Sequence, residues 1–184
     1  SLKQFLTVVG YPGIAQTAPP CQGLCMKNAG YNVTDFEYKV EKLQDVIDAI
    51  PLNKVFTYIG HGGADNMQLH PTGTNITRRW VMDTNISPIT NFPNQYRFVF
   101  MSCCNSAAID DGKWWREAFH TNNYLGWMGQ VDLKDAKKFG EIFWFKVSQG
   151  CSIGDAADYA NDIAEPDIFY RLVGDYGLEL VDCD

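Results

Sequence analysis

No apolar run in this chain can cross a membrane. The longest, Phe98–Met101 and Ile142–Phe145, have four residues each, against the ~20 a spanning helix needs. No Lys/Arg stripe is present either, and fifteen basic against twenty-two acidic residues leave a net charge of −7. That balance argues against nucleic acid as a partner. Charged residues make up only 20% and hydrophobic ones 46%, so an intrinsically disordered chain is excluded. There is no Walker loop, dinucleotide fingerprint, H-E-x-x-H or G-x-S-x-G elbow. C-x-x-C is missing too, since Cys21 and Cys25 are four apart. No internal repeat, linker or low-complexity segment interrupts the chain. Its 184 residues read as one domain, 1–184, large enough to build a core without metal or disulfide.

Other features bear on compartment. The chain opens Ser-Leu-Lys-Gln, without an initiator Met or an apolar signal segment, as a mature form or a trimmed chain would. Six cysteines are an even number. Three N-x-[ST] acceptors occur, at Asn32, Asn75 and Asn85, where chance predicts about one for this composition. Glycosylation at these residues and an extracellular location are therefore expected.

Apolar runs of strand length alternate with helical patterns. Strands are expected at Gln4–Val9, Tyr31–Tyr38, Lys54–Ile59, Gln95–Met101 and Tyr124–Met128, with short closing strands at Leu172–Val173 and Leu178–Val181. Helices are expected at Gln22–Ala29, capped by Gly30, and on Val40, Leu43, Val46, Ile47 and Ile50 up to Pro51. Others follow at Lys113–His120, Leu133–Gln149 and Ile153–Ala164. Ala64–Asn94 reads as an irregular surface loop with one helical turn near Arg78–Met82. Continuous apolar strands separated by helices indicate an α/β fold, a mostly parallel sheet covered on both faces.

In such a sheet, ligands bind beyond the carboxyl ends of the strands. Two strand ends carry reactive chemistry: His61 after the third strand and the Cys103–Cys104 pair after the fourth. A neighbouring imidazole can take a thiol's proton and so activate a nucleophile. Gly62 and Gly63 allow a tight turn that leaves a backbone N–H for a developing oxyanion. The set suits acyl transfer from a peptide bond. A papain-like order is excluded because His precedes Cys here. His61 and the thiolates lack any standard metal-ligand spacing, and neither a metal nor another cofactor is expected. His70 and His120 have no comparable context.

YIGHGG, with its His forty-three residues before the second Cys of FVFMSCCNSA, resembles the His-Gly and x-Cys pair of the caspase-like cysteine peptidases. That superfamily includes caspases, legumains, clostripain, gingipains and the CHAT domains. FYRLVGDYGLELVD is similar to the closing segment of gingipain and CHAT domains, although Tyr176 stands where Pro is usual. YLGWMGQVD is similar to the strand that lines their specificity pocket. The resemblance implies a three-layer caspase-like fold. It puts Cys103 at the small position before the nucleophile and makes Cys104 the nucleophile. His61 is then the general base and acid, with the N–H groups of Gly62 and Cys104 as the oxyanion hole.

The expected function is a secreted cysteine endopeptidase that cleaves peptide or protein substrates through a thioester acyl-enzyme. The alternative is a non-catalytic, glycosylated module of the same fold with a binding or structural role; a CHAT-like intracellular effector domain conflicts with use of the sequons. Asp110, Asp111, Gln130 and Asp132 near the site suggest a subsite for a basic side chain, with Asp110, Gln130 and Asp132 as substrate-binding residues. Setting the vicinal pair aside, four cysteines remain, and they allow three pairings. Cys21–Cys25 would close a Gly/Pro-rich loop. Cys151–Cys183 would tie down the terminus.

Overall fold

The computed structural model describes residues 3–10, 22–36, 43–69, 79–90 and 96–182. Six strands form one sheet: β1 (Gln4–Val9), β2 (Asn32–Phe36), β3 (Val55–Ile59), β6 (Phe98–Ser102), β7 (Tyr124–Trp127) and β8 (Tyr170–Val173). Their order is β2-β1-β3-β6-β7-β8. The first five are parallel, and β8 runs antiparallel to β7. Every residue of β3 and β6 is buried, which explains why these strands read as unbroken apolar runs.

Alternation along the strands sorts their side chains into two cores. Leu6, Val8, Phe56, Tyr58, Val99 and Met101 face one side, against α2 (Leu43–Ala49), α3 (Asp83–Ile86) and α4 (Lys113–Ala118) through Val46, Ile86 and Trp115. Phe5, Val55, Phe98, Phe100 and Trp127 face the other. There they meet α1 (Gln22–Asn28), α5 (Leu133–Ser148) and α6 (Ile153–Ala164), through Met26, Phe139, Trp144 and Ala157. The result is three layers, as expected. Gly30, at φ 86°, closes α1.

Two expectations need correction. The stretch expected as irregular holds an antiparallel ribbon of β4 (Asn66–Leu69) and β5 (Arg79–Met82), so Arg79–Met82 is a strand and the helical turn follows it. Four-residue strands are too short to show a period, and their pairing partners lie outside the local window. Likewise, only one closing strand forms. Around Leu178–Val181 the chain serves the helix layer instead: the Leu178 carbonyl accepts from Ile153 N–H at the start of α6 (2.9 Å), and the Tyr31 hydroxyl donates to the Leu180 carbonyl (2.6 Å). Leu180 is buried in the second core, so the apolar alternation is real but packs on helices.

Between β8 and that segment Gly174 adopts φ 104°, which L-residues avoid. A Cβ there would also overlap the Asn122 carbonyl oxygen. Gly174→Ala is therefore expected to cost about 2–3 kcal/mol. A thermal melt should show Tm lower by roughly 5–10 °C, and an unchanged Tm would refute the argument.

Candidate active site

β3 and β6 pair in parallel, with Ile59 opposite Ser102. His61 and Cys104 each follow two residues later, so they leave the carboxyl ends of strands spaced about 4.8 Å apart. Gly60 N–H donates to the Ser102 carbonyl (3.3 Å), so the two chains stay side by side beyond the strands. His61 is exposed and Cys104 half-buried.

Strand alternation separates the two cysteines. Cys103 continues the Val99–Met101 row into the first core, where it is 1% exposed. Its thiol donates to the Gly63 carbonyl (3.8 Å). Burial pushes that thiol well above the usual cysteine range, with adjacent Cys104 adding to the effect. Cys104 turns the other way, to the Val131 carbonyl (3.7 Å). Both are free thiols.

The turn holding Cys104 is fixed from below. Asn105 adopts φ 57°, which Asn tolerates, and donates its N–H to the Gly129 carbonyl (2.8 Å). Ser106 Oγ donates to the Met101 carbonyl (2.6 Å) and accepts from Trp127 N–H (3.0 Å). The Tyr124 hydroxyl donates to the Ser106 carbonyl (2.8 Å), and Trp127 Nε1–H to Ser102 Oγ (3.1 Å).

The His61–Gly63 turn is held as tightly. Gln68 N–H donates to the His61 carbonyl (2.8 Å) and Gly63 N–H to the Asn66 carbonyl (2.9 Å). Gly62 and Met67 form the antiparallel bridge between these bonds. In a pair flanked this way, Gly62 N–H points out of the ribbon. Trp115 Nε1–H donates to the Gly63 carbonyl (3.0 Å). A Cβ on Gly62 would lie 2.6 Å from the Asn66 carbonyl oxygen and 2.9 Å from Cys103 Sγ. Neither Gly62 N–H nor Cys104 N–H is bonded to an acceptor among the described residues.

The three expected substrate-binding residues fare differently. Gln130 is exposed on the segment beside Cys104, between the Gly129 and Val131 carbonyls that accept from Asn105 and Cys104. Asp132 caps α5, accepting from Lys134 N–H (2.8 Å). Asp110 is exposed in a turn where Asp110, Asp111 and Gly112 all have positive φ. Arg116 donates to the carbonyls of Asp110 and Asp111 (3.2 and 3.1 Å), and the Asp111 carboxylate pairs with Arg171 of β8 (3.0 Å). That turn leans toward β8, while His61 lies on the opposite side of Cys104.

Tyr58, Trp115 and Ser106 were not expected at the site. Their signal was the polar tip on a residue placed in, or just after, an otherwise buried run. Asn32 and Asn85 are exposed, and Asn75 and His70 lie outside the described residues. Among the described residues there is no disulfide, and Cys151 is a free thiol against the expected bridge. Cys21 and Cys183, the expected partners of Cys25 and Cys151, lie outside them. No described helix is long and apolar enough to cross a membrane.

The sequence matches no family profile and no curated protein. Solved structures match well. A structure described as a protease superposes with TM-score 0.63 at 13% identity, covering 97% of this chain and 48% of that one. The Arg-specific cysteine proteinase gingipain R superposes at 0.58 and 17% identity, over 89% of this chain and 42% of that one. The Saccharomyces cerevisiae separase–securin complex gives 0.60 and 17%, over 95% of this chain and 12% of the matched chain. The chain thus spans at most about half the length of these proteins. The fold it shares with them is caspase-like.

Proposed function

We propose that this rim is the active site of a cysteine endopeptidase with a His61–Cys104 dyad. The observation that carries the reading is the Ile59–Ser102 register, which ends both strands together with Cys104 accessible and Cys103 buried. His61 removes the Cys104 thiol proton, and the thiolate attacks the scissile carbonyl carbon. A C–S bond forms as the carbonyl π pair moves to oxygen, where the Gly62 and Cys104 N–H groups hold the charge. Collapse breaks the C–N bond, and the leaving amine takes the proton from His61. Water, deprotonated by His61, then attacks the thioester. The carboxylic product leaves as the proton returns to Cys104. Gln130 borders the acyl-side subsite, and the net charge of −7 favours a basic side chain there. The three sequons favour a location outside the cell.

A peptidyl electrophile ending in arginine is expected to modify Cys104 in the folded, reduced protein, and faster than one ending in leucine. Peptide mass spectrometry reads the site, and on protein from its native source also reports glycan on Asn32, Asn75 and Asn85. Labelling at Cys103 would overturn the assignment of the nucleophile. No labelling would favour the non-catalytic module.

A further inference from the structure

β3 carries one polar side chain into the first core, and it reaches the active-site turn. Tyr58 is fully buried, yet its hydroxyl lies 2.6 Å from the His61 carbonyl and 2.7 Å from the Gln68 carbonyl. Gln68 N–H, which donates to the His61 carbonyl (2.8 Å), also approaches Tyr58 Oη at 3.2 Å. One phenol therefore closes a ring of backbone bonds around His61. Two glycines make room for it: a Cβ on Gly10 would overlap Tyr58 Oη, and one on Gly60 would lie 2.5 Å from it. A phenylalanine ring would fill the same core volume without needing that oxygen. Burial, with nearby Cys103 adding to it, raises the Tyr58 phenol well above its ordinary range, so it remains a donor throughout the neutral range.

We infer that Tyr58 is a positioning residue for the general base, holding the His61 backbone so that the imidazole faces Cys104. This rests on the dyad proposed above. The phenol touches no reacting atom; it acts through the His61 carbonyl and through β4, whose Gln68 shares the bonds. A strand residue's N–H and C=O point the same way, so Gln68 turns both toward Tyr58 and His61 and away from β5.

Peptide hydrolysis is compared for wild type, Tyr58→Phe, His61→Ala and the double variant, with rates normalised to the folded fraction from circular dichroism. Tyr58→Phe is expected to lower kcat about 10- to 100-fold with KM within about twofold. In the His61→Ala background it should add nothing, because the effect passes through the imidazole. An equal loss in both backgrounds, or no loss in either, overturns the inference. If Tyr58→Phe does not fold, Gly60→Ala, whose Cβ would lie 2.5 Å from Tyr58 Oη, displaces the phenol instead and should lower kcat with the same dependence on His61. If wild type cleaves no test peptide, iodoacetamide alkylation of Cys104 at neutral pH reads the same pairing. Slowing in both His61→Ala and Tyr58→Phe supports the inference. Slowing in His61→Ala alone overturns the positioning role, and slowing in neither overturns the dyad and the inference with it.

Discussion

Gly62→Ala is expected to lower kcat about 10²- to 10³-fold, the usual loss when one oxyanion donor is displaced. The new Cβ would sit 2.6 Å from the Asn66 carbonyl oxygen and 2.9 Å from Cys103 Sγ, and neither neighbour can yield. The Asn66 carbonyl already accepts from Gly63 N–H (2.9 Å), and Cys103 is walled into the core. The turn must shift instead, carrying the Gly62 N–H away from the oxygen it is to stabilise. Displacement by iodoacetamide builds no oxyanion, so its rate at Cys104 should stay within about twofold of wild type. Steady-state kinetics and alkylation on the same preparation separate the two effects. An equal fall in both would mean that the turn has collapsed and that the donor role is wrong.

This contrast also marks what the sequence could and could not reveal. β3 and β6 were legible because burial on both faces leaves nearly every position apolar, as VFTYI and FVFMS show. The His61 and Cys104 strand ends followed from them, since a parallel sheet gathers such ends on one rim. The β4–β5 ribbon was not legible, because it is stabilised by docking against the His61 turn rather than by its own pattern. The acidic residues are ambiguous for a related reason. Asp132 has the chemistry of a subsite carboxylate, but it also stands immediately before a helix, where a carboxylate caps the first turn. Composition near a nucleophile does not reveal the capping use; the bond to Lys134 N–H does. Tyr58 was hidden in the same way, its ring counted as core while its hydroxyl bonds a turn.

The doubled cysteine carries the largest expected effect. Cys104→Ala should reduce hydrolysis on the order of 10⁶-fold, because no other group can form the acyl-enzyme. Cys103→Ala should leave kcat within about threefold and cost roughly 1 kcal/mol from a small buried void. Three observations set this asymmetry. Cys103 continues the buried Val99–Met101 row, whereas Cys104 is half-buried at the rim. Burial raises the Cys103 thiol, so at neutral pH it does not supply a thiolate in place of its neighbour. The bond lost with the Cys103 thiol is also covered, since Trp115 Nε1–H still donates to the Gly63 carbonyl at 3.0 Å. The Gly62 turn therefore keeps its support. Kinetics of the two single variants, with mass spectrometry of the acyl-enzyme trapped from a slow ester substrate, decide the matter. If Cys103→Ala is the inactive protein and acyl remains attached in Cys104→Ala, the nucleophile is one residue earlier. Cys103 would then have to leave the core to react, and strand alternation would have failed as the guide to this site.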